Sequence, residues 1–185
     1  MPHRLSLIDP AATTPERRQL LAPIQSAFGA SPHMFRAVAH SPAALRSMWG
    51  SFGALSQGTL GAALGEQIAV AVANANRCHY CLAAHTALGA QAGLRTETLQ
   101  AAQQGRSSDP KTAAALQFAL AIVAQRGQVS DADWQAVRAA GFSDEALVEI
   151  VAHVALNLFT NYVNIVFEVP VDFPAVALLP AGPAS

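Results

Sequence analysis

The chain has little charge. Only 12% of its 185 residues are Asp, Glu, Lys or Arg, the formal net charge is −1, and Lys111 is the single lysine. Nucleic acids and anionic membranes are bound by clustered positive charge, whereas the arginines of this chain are scattered. The composition therefore predicts neither a nucleic-acid partner nor a membrane partner.

The sequence also lacks the segments that direct a chain to or through a membrane. The N-terminal MPHRLSLIDPAATTPERR has no basic stretch followed by an apolar run, which is the pattern of a secretory signal. The stretches IAVAVANAN and ALQFALAIVA are too short and too interrupted to cross a bilayer. We therefore expect a cytoplasmic protein.

Apolar residues are in excess, at 52% of the chain. Much of the excess is alanine, which favours closely packed helices. A chain of 185 residues can bury a proper core, so we treat residues 1–185 as a single domain. A monomer with so few charges would expose much apolar surface, and we therefore expect a homo-oligomer.

Helical patterns follow one another along nearly the whole chain. Residues 1–14 read as an extended lead-in, and 170–185 as an extended, proline-rich tail. Helix-capping signals precede several of the apolar segments, including Thr14 before Pro15 and Asp109 before Pro110. Pro23 should kink or split the first helix. No segment alternates as a strand does, so the sequence predicts an all-α fold.

Cys78 and Cys81 are the only cysteines, and they form a Cys-x-x-Cys motif followed by His85. In a helix the two cysteines lie roughly 5 Å apart at Cα, a separation that a disulfide tolerates. Cys81 and His85 then share one face, one turn apart. In a cytosolic chain such a motif is more often catalytic or metal-binding than a structural disulfide. The motif therefore predicts thiolate or redox chemistry.

The surrounding residues predict how a thiolate is stabilised. Asn74 and Asn76 are good N-caps, so a helix beginning near Arg77 places Cys78 in its first turn. There the helix dipole and unpaired N–H groups favour negative charge. Arg77 adds positive charge, and the histidine can accept a proton from Cys81. We expect a lowered thiol pKa in this segment.

Three other interpretations of the cysteines stay open. Both can be small core residues. Cys78, Cys81 and His85 can bind zinc with Glu66 as a fourth ligand. The pair can also form a permanent disulfide, although so small a loop constrains the unfolded chain little.

A stripe of polar residues marks the last apolar helix, with His153, Asn157, Asn161 and Asn164 at spacings of four, four and three. Buried amides need hydrogen-bond partners. The stripe is therefore either a hydrogen-bonded seam against another helix or subunit, or part of the lining of a thiol pocket.

The spacing E-x11-C-x2-C-x3-H, from Glu66 through Cys78 and Cys81 to His85, resembles that of the alkylhydroperoxidase/carboxymuconolactone decarboxylase family. NRCHYCLAAHTALGAQAGL and SPHMFRAVAHSPAALRSMW resemble its peroxidase-related branch, and the resemblance covers most of residues 30–168. It implies an AhpD-like multi-helix bundle assembled into trimers or hexamers. One departure is that Tyr80 stands where the best-known alkylhydroperoxidases have a histidine, while His79 takes the position before it.

The resemblance implies thiol-dependent reduction of a hydroperoxide without cofactor or metal. Cys81 would be the peroxidatic thiol, Cys78 the resolving thiol, and His85 and Glu66 a proton relay, with an external dithiol of protein or lipoyl type as reductant. The helix-terminus argument alone favours Cys78 as the nucleophile, but only Cys81 has a histidine one turn away. The alternatives are a lactone or keto-acid decarboxylase or isomerase that uses His85 and Glu66 as acid and base, and a non-enzymatic redox-responsive protein.

Overall fold

A computed structural model describes residues 4–180 of the chain. These residues form nine helices and no strand, which confirms the predicted all-α fold. The first three residues of the predicted lead-in and the last five of the predicted tail lie outside the described range. The helices are α1 (Pro15–Phe28), α2 (His33–Val38), α3 (Pro42–Leu55), α4 (Gly61–Ala75), α5 (His79–Gln91), α6 (Thr96–Gln103), α7 (Pro110–Ala124), α8 (Asp131–Ala139) and α9 (Asp144–Val166).

Side-chain caps fix the starts of most of the longer helices. Thr14 accepts the backbone N–H of Arg17, and Asp109 accepts that of Thr112, as the sequence predicts. The prediction that Pro23 splits the first helix is wrong, because α1 continues through it. Pro23 is exposed, so water can satisfy the carbonyl group that loses its intrahelical partner.

Helix α4 is the central helix of the fold. It contacts α5, α6, α7 and α9, and its residues 67–74 are all buried. A helix that is apolar around its whole circumference must be covered on all sides. The segment IAVAVA of α4 is apolar in this way. Because α4 is enclosed, Glu66 near its N-terminal end and the thiol segment after its C-terminal end both have fixed positions.

A carboxylate from another helix caps the start of α4. The N-cap, Leu60, offers no side-chain acceptor. Glu149 of α9 accepts the backbone N–H groups of Thr59 and Leu60 at 2.8 and 3.2 Å. These backbone hydrogen bonds lower the pKa of Glu149, and the one from Thr59 has the largest effect. The cap joins α9 to α4 about two turns before Glu66.

Helix α9 is longer than the apolar stretches IAVAVANAN and ALQFALAIVA. Its 23 residues are long and apolar enough to cross a membrane by length and composition, but half of its most apolar 18-residue window is buried within the fold. It contacts α3, α4, α5 and α7, as the core helix of a helical bundle does.

The C-terminal segment after α9 folds back onto the helical bundle. Asp172 accepts the backbone N–H of His33 at the start of α2. Leu179 forms two hydrogen bonds with the Asn74 side chain near the end of α4, with its N–H donating to Oδ1 at 3.0 Å. Residues 170–180 contain no helix or strand.

Candidate active site

The thiols lie at a tight junction between α4 and α5. The chain leaves α4 through Arg77, whose φ of 59° is in the left-handed region. The N–H of Cys78 donates to the Ala73 carbonyl at 2.9 Å, and the N–H of Arg77 donates to that of Asn74 at 3.1 Å. This pair of hydrogen bonds is the Schellman motif that ends many helices. The next helix begins directly after it.

The predicted start of the thiol helix is therefore wrong by two residues. Helix α5 begins at His79, and Cys78 is its N-cap rather than a first-turn residue. Asn74 and Asn76 end α4 and do not cap α5. The guanidinium of Arg77 donates to the Leu179 carbonyl at 2.9 Å, and forms no hydrogen bond to either sulfur among the described residues. The helix N-terminus itself, and not Arg77, supplies the positive potential at the thiols.

Both cysteines are free thiols buried in the fold. Their Sγ atoms lie 2.6 Å apart in a shared hydrogen bond, and the backbone N–H of Cys81 donates to Cys78 Sγ at 3.3 Å. The hydrogen bond with the Cys81 side chain, followed by the backbone N–H groups of Cys81 and Tyr80, lowers the pKa of Cys78. The pKa of Cys81 is raised. Burial is the largest cause, and the hydrogen bond and charge of the neighbouring Cys78 add to it. Either thiol can donate to the other, and these directions favour Cys81 as the donor and Cys78 as the first thiolate.

Asn164 is a site residue to which the sequence analysis gave no catalytic role. Its Nδ2 donates to Cys81 Sγ at 3.2 Å, and it acts with Asn161 to lower the Cys81 pKa against the effect of burial. An amide donor in a buried site stabilises a developing thiolate without itself ionising. The only sequence signal for this role was the polar stripe on α9.

The stripe forms the hydrogen-bonded seam that the sequence left open, and one of its residues also reaches the thiols, although none of the four lines the cavity that contains Cys81. Asn161 is fully buried, and its Oδ1 accepts Nδ2 of Asn76 at 3.0 Å, which is a seam between α9 and the α4–α5 junction. Asn164 contacts the thiol pair. His153 and Asn157 lie farther along, at a separate small cavity.

This seam gives a first prediction. Replacing Asn161 with leucine removes the acceptor for the half-buried Asn76 amide, so the free energy of unfolding should fall by about 1–3 kcal/mol. Thermal or denaturant unfolding measures the change. Asn157→Leu is the matched control, because Asn157 Oδ1 has no partner and its Nδ2 bonds only to the His153 carbonyl of its own helix. Equal losses in both variants would show that the Asn76 contact contributes nothing.

His85 and Glu66 are held together across α4 and α5. Glu66 Oε2 lies 2.8 Å from His85 Nδ1, and both side chains are largely shielded from solvent. A carboxylate can only accept, so Nδ1 carries hydrogen and Nε2 of a neutral ring is left as a proton acceptor. Among the described residues His85 forms no hydrogen bond to either sulfur. It borders the same cavity as Cys81, where a water or a substrate group can bridge the two.

That cavity has a volume of about 350 Å³. Cys81, His85 and Glu66 lie on its wall, and six aromatic side chains from four helices and the C-terminal segment also line it. Cys78 does not border it. A molecule entering the cavity therefore meets Cys81 and not Cys78.

The two residues between the cysteines have different surroundings. Tyr80 is buried, its hydroxyl accepts the backbone N–H of Met34 at 3.1 Å, and its ring lines the cavity. Burial raises the Tyr80 pKa, so the phenol stays uncharged. His79 is exposed. The histidine at position 79 thus cannot take the place of a histidine at position 80, and the cavity has an aromatic wall there instead.

A second cavity, of about 150 Å³, shares Glu66 and His85 with the first and contains His153. Burial lowers the His153 pKa, so this imidazole is neutral near pH 7. Within residues 4–180, no three His, Cys, Asp or Glu side chains are grouped to hold a metal ion. In the zinc interpretation Glu66 would be the fourth ligand, but its carboxylate is hydrogen-bonded to His85.

Comparison with known proteins gives matches in both sequence and fold. Residues 42–125 match the model of the carboxymuconolactone decarboxylase family. The fold is similar to the crystal structure of an alkylhydroperoxidase AhpD core from Ralstonia eutropha JMP134, an uncharacterized peroxidase-related protein, at 27% identity and a TM-score of 0.82, with 92% of each chain covered. No curated protein sequence matches significantly.

Two further solved structures are similar in fold alone. A peroxidase-related protein from Silicibacter sp. TM1040 is 24% identical, with a TM-score of 0.79 and coverage of 95% of this chain and 93% of that one. The debrominase Bmp8, in complex with 2,3,4-tribromopyrrole, is 18% identical, with a TM-score of 0.78 and 91% of each chain covered. Similarity in fold does not determine a reaction, so the function must be argued from the site.

Proposed function

We propose that the chain, whose residues 42–125 match the model of the carboxymuconolactone decarboxylase family, is a thiol-dependent hydroperoxide reductase. The observation that carries the proposal is the placement of two free thiols in hydrogen-bond contact, with Cys81 on the wall of a cavity that also contains the His85–Glu66 pair. A nucleophile, a second thiol and a proton acceptor are the groups that peroxide reduction by thiols requires.

Cys81 attacks the peroxide in the first step. His85 Nε2 accepts the Cys81 proton through a bridging water, and Asn164 donates to the sulfur as charge develops. The thiolate bonds to the terminal peroxide oxygen, the O–O bond breaks, and the leaving alkoxide takes the proton back from His85. The products are Cys81 sulfenic acid and an alcohol. Glu66 orients the ring and stabilises its protonated form.

Cys78 resolves the sulfenic acid in the second step. Its pKa is lowered by the contacts at the helix start, so it is available as a thiolate beside Cys81. It attacks the Cys81 sulfur and the S–O bond breaks. The departing hydroxide takes up from solvent the proton that Cys78 released on ionising, and leaves as water. An external dithiol, of protein or lipoyl type, then reduces the Cys78–Cys81 disulfide by exchange.

Turnover is the direct test of this proposal. The reduced protein should consume cumene hydroperoxide continuously when a dithiol such as dithiothreitol or dihydrolipoamide is supplied. It should stop after one equivalent when none is present. A lack of consumption under both conditions would refute the proposal.

A second thiol reaction fits the same geometry. Aromatic side chains surround Cys81, and a fold neighbour is a debrominase. Transfer of two electrons and two protons from the thiol pair to an aryl bromide would give the arene, hydrogen bromide and the disulfide. Release of bromide from a bromopyrrole, without peroxide turnover, would favour this candidate.

The decarboxylase or isomerase alternative relies on the His85–Glu66 pair alone. None of the described residues that line the cavity is Lys or Arg, so a carboxylated lactone would find no cationic partner there. A purely redox-responsive protein would form the disulfide without turnover. Assays with lactones and with hydroperoxides separate these possibilities.

We also propose that the chain assembles into a trimer or hexamer. One face of α9 exposes an apolar row in which Val148 is 69% exposed, Val151 47%, Tyr162 56% and Val166 50%. A contiguous exposed apolar strip of this kind is typical of a protein–protein interface.

Light scattering should therefore give a mass of three or six times 19.2 kDa. Tyr162→Glu should lower the mass, because a charge on the apolar row is costly to bury. Ala136→Glu, at an exposed site on α8, should not. A monomeric mass for the unsubstituted chain would contradict the assembly.

A further inference from the structure

The thiol cavity gathers half of the aromatic side chains of the protein. The chain has eight Phe, two Trp and two Tyr, and six of these twelve line the cavity. They come from α1, α2, α3, α5 and the C-terminal segment, so distant parts of the sequence contribute to one wall. The six are Phe28, Phe35, Trp49, Phe52, Tyr80 and Phe173.

These rings form an ordered cage. Phe35 and Trp49 meet edge to face, with centroids 5.6 Å apart and planes at 89°. Tyr80 and Phe173 also meet edge to face, with centroids 5.8 Å apart and planes at 85°. Edge-to-face packing leaves ring faces and edges available to a further ring. Such a surface binds a flat or rounded apolar group better than a flexible or hydrated one.

The ionisable groups of the cavity are confined to one part of its wall. Cys81, His85 and Glu66 lie there, and the last two are bonded to each other. The other polar groups on the lining are hydroxyls, of Ser56, Tyr80 and Thr160. Since no Lys or Arg lines the cavity, a bound carboxylate would be desolvated without a partner, which is costly.

We propose that the substrate is an uncharged organic hydroperoxide whose organic part is a compact aromatic group of one or two rings. This inference rests on the proposed peroxidase function. The cavity volume of about 350 Å³ is at the small end of the ~300–1,000 Å³ that ligand pockets occupy. The ring enters the aromatic cage and the –OOH group faces Cys81 and His85. Hydrogen peroxide fills too little of the cavity, and hydroperoxides with a carboxylate are excluded by charge. The reaction converts ROOH and the two thiols into ROH, water and the disulfide.

Substrate competition tests the selectivity. The ratio of kcat/KM for cumene hydroperoxide to kcat/KM for hydrogen peroxide should be about tenfold or more, because the ring gains apolar burial that hydrogen peroxide lacks. The 4-carboxylate of cumene hydroperoxide should react about tenfold more slowly than the neutral compound. Equal rates for all three would overturn the inference while leaving the peroxidase intact.

Two glycines of α3 provide a matched pair of variants. Neither Gly53 nor Gly50 has an atom within 4 Å of an added Cβ, and only Gly53 lines the cavity. Gly53→Leu should narrow the cavity and lower the cumene-to-hydrogen-peroxide ratio by about tenfold, by loss of the ring's apolar contacts. Gly50→Leu should leave the ratio unchanged. An unchanged ratio in both variants would show that the ring does not bind in this cavity.

Binding can be measured without any redox step. Trp49 lines the cavity and Trp134 lies on α8, so the Trp134→Phe protein reports the cavity by fluorescence. The alcohol product, 2-phenyl-2-propanol, should shift the Trp49 emission saturably, and its 4-carboxylate should not. No shift with the alcohol, in a protein that still turns over hydroperoxide, would overturn the inference alone. A shift without any thiol oxidation would instead refute the peroxidase, and with it the hydroperoxide as substrate.

Discussion

Replacing Cys81 with serine should slow hydroperoxide reduction by about a thousandfold or more, because the attacking atom is removed. Cys81 is the thiol that borders the cavity, so Cys78 should not substitute for it even though the Cys78 pKa is the lower one. The rate of alcohol formation under single-turnover conditions measures the effect.

Cys78→Ser is the matched variant. It keeps the cavity and the attacking sulfur, so one equivalent of alcohol should still form. Cys81 should then stop at sulfenic acid, which a 1,3-diketone reagent traps. If instead Cys78 is trapped in the Cys81→Ser protein and the Cys78→Ser protein is inert, the two roles are reversed.

Replacing His85 with alanine should slow the reaction of Cys81 by about 10²–10⁴-fold near pH 7. Burial raises the Cys81 pKa, so at neutral pH the thiol is mostly protonated and depends on a base. As the pH rises towards that raised pKa, the thiolate fraction grows without help. The rate difference between His85→Ala and the unsubstituted protein should therefore shrink with increasing pH. A pH–rate profile measured under single-turnover conditions tests this expectation.

Two further variants test whether this effect is specific. His153→Ala removes a second imidazole that borders only the smaller cavity, and its profile should match that of the unsubstituted protein. Glu66→Gln should give a weaker form of the His85→Ala profile, because Glu66 acts on the ring rather than on sulfur. A His85→Ala deficit of equal size at every pH would mean that His85 only supports the structure.

Regular helix geometry accounts for what the sequence predicted well. Four-residue spacing on α5 places Cys81 and His85 on the same cavity wall, and the capping residues at Thr14 and Asp109 mark true helix starts. Such features depend on a few neighbouring residues and on a constant rise and turn per residue.

Features that depend on tertiary context were not predictable. A left-handed Arg77 is uncommon for a residue other than glycine, and without it the junction reads as a helix start. The Glu149 cap on α4 joins residues 90 positions apart. Nothing local to Asn164 indicates that its amide reaches Cys81, 83 positions away. The aromatic cage likewise forms only when α1, α2, α3, α5 and the C-terminal segment meet.

The central claim is that Cys78 and Cys81 are a redox pair that reduces a hydroperoxide. The most direct measurement mixes the fully reduced protein with one equivalent of cumene hydroperoxide, quenches in acid, and compares the intact mass with the amount of alcohol formed. We expect the loss of two hydrogens per chain, matched by one alcohol per chain. An unchanged mass with the hydroperoxide intact would contradict it.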